Sequence, residues 1–352
     1  MNAIQTAKAL LLGASLLAPQ TWSAEPRERV GASPWGPDDQ IGALNLMTPE
    51  SRLAILSHVA SGKTYDLSVE YFVGMPSFHQ LGDPGYQYWL THTPRGTVVD
   101  NPNGLGERMN SKVSYTGDAI SMYTHMGTHI DALNHFGLDG KIWNGFSADR
   151  HLGDKGWKKT GAETIPPIIA RGVLIDVAAY KGVDALAHNY RVNSDDLKGA
   201  LHRQGVKLAP GDVVLIRTGQ ARHYHDAAKY LHEYPGVSLE AVKWLVERKG
   251  TMLLGADNLS LEAFTAEELG LAALILGEEN PKLETLPAGS EGNWVPVHTY
   301  LLAEKGVMFI EQLQLEELAR DQVYEFAFIA ASLKLRGASG APMRPIALPV
   351  RK

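Results

Sequence analysis

The segment His125-Met126-Gly127-Thr128-His129-Ile130-Asp131-Ala132-Leu133-Asn134-His135-Phe136 constrains this chain more than any other, because it crowds three imidazoles and a carboxylate into one short stretch. Isolated histidines are ordinarily core or surface residues with hydrogen bonds of their own. Four ligand-type groups this close together, interleaved with Gly127 and Thr128, point instead to a metal site. Borderline divalent ions such as zinc accept imidazole nitrogen and carboxylate oxygen together, so His125, His129 and Asp131 can supply most of a coordination shell. His135 is then left as a proton carrier, since imidazole is the side chain that titrates nearest neutral pH.

Backbone geometry narrows the conformation of this segment. Side chains of an extended chain alternate between faces, which puts His129 and Asp131 on one side with His125 and His135 in phase. A helix would stack His125 over His129 but turn Asp131 away, and Gly127 and Thr128 are poor helix formers. An extended strand or a loop is therefore expected.

The pattern His125-x-Gly127-Thr128-His129-x-Asp131, followed by His135-Phe136, resembles the signature of the cyclase-like metal-dependent hydrolase family, which includes bacterial kynurenine formamidases and isatin hydrolases. The chain departs from the commonest form at Leu133, where a proline often stands. Proline contributes only a fixed backbone angle, so the change affects loop stiffness rather than the ligand set.

Further segments are similar to the family in the same order. They include Trp35-Gly36-Pro37-Asp38-Asp39 with Gly42-Ala43-Leu44-Asn45, Asp66-Leu67-Ser68 with Gly74-Met75-Pro76, Arg171 to Asp176, Gly211 to Gly219, and Gly255 to Ser260. Val297-His298 with Leu301-Leu302, and Ile310-Glu311 with Leu313, resemble the distal part. The likeness runs from about 35 to about 318.

What the resemblance implies can be stated residue by residue. In the formamidases of the family the first two motif histidines and the aspartate hold one divalent ion, the aspartate bridges to a second, and a distal His and Glu complete the pair. The corresponding positions here are His125, His129, Asp131, His298 and Glu311. His135 stands where the family has its proton donor and acceptor. Some relatives use a single metal, often manganese, so the expected cofactor is Zn²⁺ or Mn²⁺, as one ion or two. The implied fold is the family's swivelling β/β/α sandwich, an α/β architecture with a mixed sheet and flanking helices.

Length and composition agree with a globular enzyme: 352 residues, 44% hydrophobic and 20% charged, can bury a substantial core. The net charge of −6 and the lack of any basic run argue against nucleic acid as a partner. A second loose cluster, His223, His225 and His232, has no paired carboxylates in phase and reads as a solvated face.

The amino terminus reads as an address. Lys8 precedes an apolar run over 9–18, and Pro19 and Gln20 lead to Thr21-Trp22-Ser23-Ala24-Glu25, as in a secretory signal cleaved after Ser23 or Ala24. The run is far shorter than the ~20 residues needed to span a bilayer, so no permanent anchor is expected. Residues 1–24 are thus the expected signal and 25–352 one enzyme domain, periplasmic or secreted. The zero cysteines suit that setting.

The remaining pattern alternates helices and strands, which favours a layered sheet covered by helices. Thr48 caps a helix over 49–60 with Pro49 at its first position and Gly62 beyond its end, and Ser238 caps another over 239–249 that Gly250 stops. Apolar runs at 173–177, 213–216, 252–254, 271–276 and 324–335 read as buried strands. Between about 78 and 116 the composition shifts to Gly, Pro, Asn and Tyr. That stretch reads as a surface insertion, with a lid bearing Tyr86, Tyr88, Trp89 and His92 as the functional alternative.

The expected chemistry is hydrolysis of a small carbonyl substrate, an aryl formamide or a cyclic amide or imide, by metal-activated water. A lactone hydrolase, or a lyase or dehydratase on the same site, is the alternative. Export disfavours an intracellular catabolic formamidase relative to a broader amide or lactone hydrolase. A homo-oligomer is expected.

Overall fold

The computed structural model describes residues 29–78, 82–232, 234–263, 293 and 295–351. The expected signal segment and the expected strand at 271–276 lie outside the described residues.

Nine strands form one sheet: β1 Tyr65–Asp66, β2 His129–Asp131, β3 Ile168–Asp176, β4 Val213–Arg217, β5 Leu253–Ala256, β6 Phe309–Glu311, β7 Glu325–Ala330, β8 Gly340–Pro342 and β9 Ile346–Pro349. Their order is β1-β9-β7-β3-β4-β5-β6-β2-β8. The four central strands β3, β4, β5 and β6 run parallel. Parallel neighbours need crossovers, and the helix Ser194–Gln204 and the helical run from Leu239 supply two of them. Apolar residues on both faces suit strands covered on both sides, so Val213 to Ile216 are all fully buried.

Antiparallel strands flank this core: β7, β9 and β1 on one side, β2 and β8 on the other. The result is a mixed sheet with flanking helices, the fold class expected from the sequence. The histidine-rich segment therefore sits near one edge, next to β6.

Several boundaries moved for identifiable reasons. Strand β3 begins earlier than 173 and stops at Asp176, because the Asp176 carboxylate accepts from Ala179 N at 2.9 Å and caps the helix Val177–Lys181. The first helix spans Pro49–Ser57 with a Thr48/Ser51 capping box, and ends before 60 because Val59 bridges Val350 and Ala60 N donates to Pro349 O. The helix from Leu239 switches to π geometry over Trp244–Arg248, with Gly250 beyond it at φ +68°. Strand β5 ends at Ala256 rather than 254, and β7 stops at Ala330, after which Ser332 bridges Met343. From the 78–116 stretch, Gln87–His92 pairs antiparallel with Gly117–Ser121 and exposes Tyr88 and Trp89, while Tyr86 packs edge-on against Tyr71.

One buried ion-pair network ties β4 to its surroundings. Arg217 donates to Asp176 Oδ1 at 2.8 Å, to both oxygens of Glu316 at 2.7 and 3.1 Å, and to Asp184 O at 3.0 Å. Asp176 is 3% exposed, so removing the guanidinium leaves a carboxylate stranded in the interior. An Arg217→Ala variant is expected to lose about 3–5 kcal/mol of stability. Urea denaturation checks this; a loss near zero contradicts it.

Candidate metal centre

Strand pairing builds the first wall of the site. Strands β2 and β6 are antiparallel with Glu311 opposite His129 and Phe309 opposite Asp131. Directly opposed residues share a face, and so do residues two apart on one strand. His129, Asp131 and Glu311 therefore project together, and His129 Nε2 lies 3.3 Å from both Asp131 Oδ1 and Glu311 Oε2.

Turns bring in the remaining groups. Only 129–131 of the motif is strand; His125 and His135 stand on the turns at its two ends. Gly127, at φ +60°, makes the first turn possible, and a Cβ there would stand 2.4 Å from Tyr71 Cζ. His125 Nδ1 then reaches Asp131 Oδ1 at 2.7 Å. Gly340 on β8 lies opposite Asp131, and the absence of its side chain leaves room for the His125 ring, since a Cβ would be 2.5 Å from His125 Cε1. His135 stacks on His125 with ring centroids 3.8 Å apart and holds Nε2 3.5 Å from Asp131 Oδ2.

His298 comes from the short helix Pro296–His298 and faces Glu311 Oε1 at 3.6 Å through Nε2. The structure thus gathers all six residues singled out by sequence. His125, His129 and Asp131 form one group whose potential ligand atoms lie within 4.8 Å of one another, and Asp131, His298 and Glu311 form another. Asp131 belongs to both.

Each of the three candidate ligand imidazoles has its outward nitrogen in contact with an oxygen. His125 Nε2 meets Ser339 Oγ at 2.9 Å, His129 Nδ1 meets Gly127 O at 2.8 Å, and His298 Nδ1 meets the Glu262 carboxylate. Such outer contacts fix ring orientation and tautomer in metal sites, leaving the inward nitrogen as a lone-pair donor. The inward atoms are the unsatisfied ones: His129 Nε2, Asp131 Oδ2 and Glu311 Oε1 are buried and make no hydrogen bond to any described residue. Orphaned polar atoms are costly in an interior, and a divalent cation fits these nitrogen and oxygen donors.

Charge balance gives the same answer. Burial works against protonation of His129 and His298, yet the carboxylates beside them, Asp131 and Glu311 for the first and Glu262 and Glu311 for the second, raise both pKa values to about 10. The pocket is one that draws in positive charge. His135 behaves oppositely. Burial, then the neighbouring His125, holds its pKa well below the ordinary imidazole value against the pull of Asp131, and 18% of its side chain remains accessible.

The second histidine cluster does not converge. His225 stacks on Phe72 and His232 packs against His188, and neither joins a candidate metal group among the described residues. Sequence reasoning passed over Glu262, Ser339 and Gly340, which carry no local signal: each acquires its role only through contacts with residues distant in the chain.

Fold and site together define a mixed-sheet α/β protein with a buried His/Asp/Glu centre at one side of the sheet. Residues 65–263 match the family described as "Putative cyclase", and the chain belongs to that cyclase family. His298 and Glu311 lie beyond the matched segment. A solved structure described as a novel cyclase is 30% identical, with a TM-score of 0.74 over 89% of this chain and 96% of that one. Isatin hydrolase A from Ralstonia solanacearum is 22% identical with a TM-score of 0.58, over 86% of this chain and 98% of that one, and shares the fold. Cyclase-like protein 3 of Arabidopsis thaliana is 23% identical over 296 residues, 82% of this chain and 86% of the relative.

The tight approach at β8 yields a test. A Gly340→Ala variant is expected to keep its strand pairing but to push the His125 imidazole off Asp131, costing about 1–3 kcal/mol. A crystal structure of the variant checks this; an unchanged His125–Asp131 contact contradicts it.

Proposed function

We propose that this protein is a metal-dependent hydrolase that cleaves the C–N bond of an aryl formamide or of a cyclic amide or imide. The observation that carries this reading is the pair of overlapping ligand groups joined at Asp131, with the partly accessible His135 beside them. His125, His129 and Asp131 would hold one divalent ion and Asp131, His298 and Glu311 a second, Zn²⁺ or Mn²⁺ by the chemistry of the donors. Ions in such a site acidify water and polarise a carbonyl oxygen, the two demands of amide hydrolysis.

The chain's own groups do the rest. His135, held by its stack on His125, accepts at Nε2 the proton shed by the attacking water and returns it to the departing nitrogen. Phe136 lies between His135 and His298, with ring centroids at 4.5 and 4.9 Å, and Tyr123 sits 5.1 Å from His125. Flat rings beside the centre would suit a planar substrate. The resemblance in fold to a protein named isatin hydrolase A supports a cyclic amide within this class.

Two outcomes are expected. Chelation should abolish hydrolysis of formamides and cyclic imides, and added Zn²⁺ or Mn²⁺ should restore it; activity that survives complete metal removal sinks the proposal. His129→Ala should lose metal, whereas His135→Ala should keep its metal and lose about 10²–10⁴-fold in turnover. Metal analysis with steady-state kinetics separates the two, and label from ¹⁸O-water entering the product carboxylate distinguishes hydrolysis from elimination. Full activity in His135→Ala with metal bound would remove the proton carrier from the account.

A further inference from the structure

The three imidazoles of the centre are not backed alike. His125 leans on a serine hydroxyl and His129 on a backbone carbonyl, both neutral, whereas His298 leans on the carboxylate of Glu262. Glu262 is 3% exposed and lies just beyond β5, on a segment that bridges Val237. Both of its oxygens accept hydrogen bonds. Oε1 takes His298 Nδ1 and also accepts from His298 N at 3.2 Å, and Oε2 accepts from Val297 N at 3.3 Å. A carboxylate so occupied stands behind the ring, away from the ligand groups, and it belongs to neither of them.

We infer that Glu262 is a positioning residue that fixes His298 and so sets the affinity of the Asp131–His298–Glu311 half of the centre separately from the His125–His129–Asp131 half. Its contacts with the backbone N–H groups of Val297 and His298 hold the start of the helix. Its contact with Nδ1 favours the proton there, so that Nε2, which faces Glu311, is the nitrogen that would offer its lone pair to an ion. Phe309, whose ring centroid lies 4.9 Å from that of His298, closes the other side and limits rotation. An anionic acceptor also makes the imidazole more basic than a neutral one does, so this half depends on its outer contact in a way the other half does not.

The inference rests on the two-ion reading of the centre, and its test keeps the two apart. Metal-free wild-type protein and the Glu262→Gln and Glu262→Asp variants are titrated calorimetrically with Zn²⁺ alone. The glutamine amide keeps the shape but presents either a neutral acceptor or an N–H to Nδ1; the aspartate keeps the charge at shorter reach. Wild-type protein should take up two ions per chain. Glu262→Gln should bind one with wild-type affinity and the other about 10–100-fold more weakly, with a smaller loss in Glu262→Asp. Two ions bound by Glu262→Gln as tightly as by wild type would overturn the inference. So would an equal weakening of both, which is what a merely structural role predicts. Wild-type protein that takes up fewer than two ions would overturn the two-ion centre itself, and the inference with it.

Discussion

Everything in the site depends on one short antiparallel ladder, the pairing of His129–Asp131 with Phe309–Glu311. Because side chains alternate along a strand and opposed residues share a face, this register alone puts His129, Asp131 and Glu311 on one side of the sheet. A slip of one residue would turn Asp131 and His129 to the far face. The ladder is pinned accordingly. Thr128 Oγ1 donates to Gln312 O at 2.7 Å and accepts from Val69 N at 2.9 Å, and Thr128 O accepts from Met343 N at 3.0 Å. One threonine thus ties four segments at the point where the register is set. Further across the sheet, the Arg217 network holds β3 and β4 together at their carboxyl ends.

The same pairing creates an electrostatic problem that the fold leaves open. Asp131 and Glu311 are almost fully buried and face the imidazoles of His129 and His298. Burying charge without compensation is costly, and protons on those imidazoles are the compensation available to the polypeptide itself. A divalent ion in each ligand group would supply the charge instead and would satisfy the orphaned atoms of His129, Asp131 and Glu311. His135 escapes this role because burial, and then the His125 ring stacked on it, disfavours its charge.

How much of this was legible in the sequence follows from the range of each interaction. His125, His129, Asp131 and His135 announced themselves because they are close in the chain and a strand with two turns suffices to assemble them. His298 and Glu311 were reachable only through likeness to a family, since no local pattern says that β6 will pair with β2. Glu262, Ser339 and Gly340 were illegible: an acid in Ser-Leu-Glu-Ala-Phe looks like a surface group until His298 is found against it. The central strands were visible as apolar runs, but their ends were not. Val177 looks like the continuation of β3, and it is the Asp176 side chain, by capping the next helix, that ends the strand. Polar contacts of this kind set boundaries that hydrophobicity alone does not mark.

The central claim is that Asp131 joins two ligand groups into one centre. Anomalous diffraction from crystals grown with Zn²⁺ or Mn²⁺ tests it most directly. Two peaks are predicted, one among His125, His129 and Asp131 and the other among Asp131, His298 and Glu311, with the Asp131 carboxylate contacting both. An ion bound elsewhere, or a centre in which Asp131 touches no metal, would contradict the account.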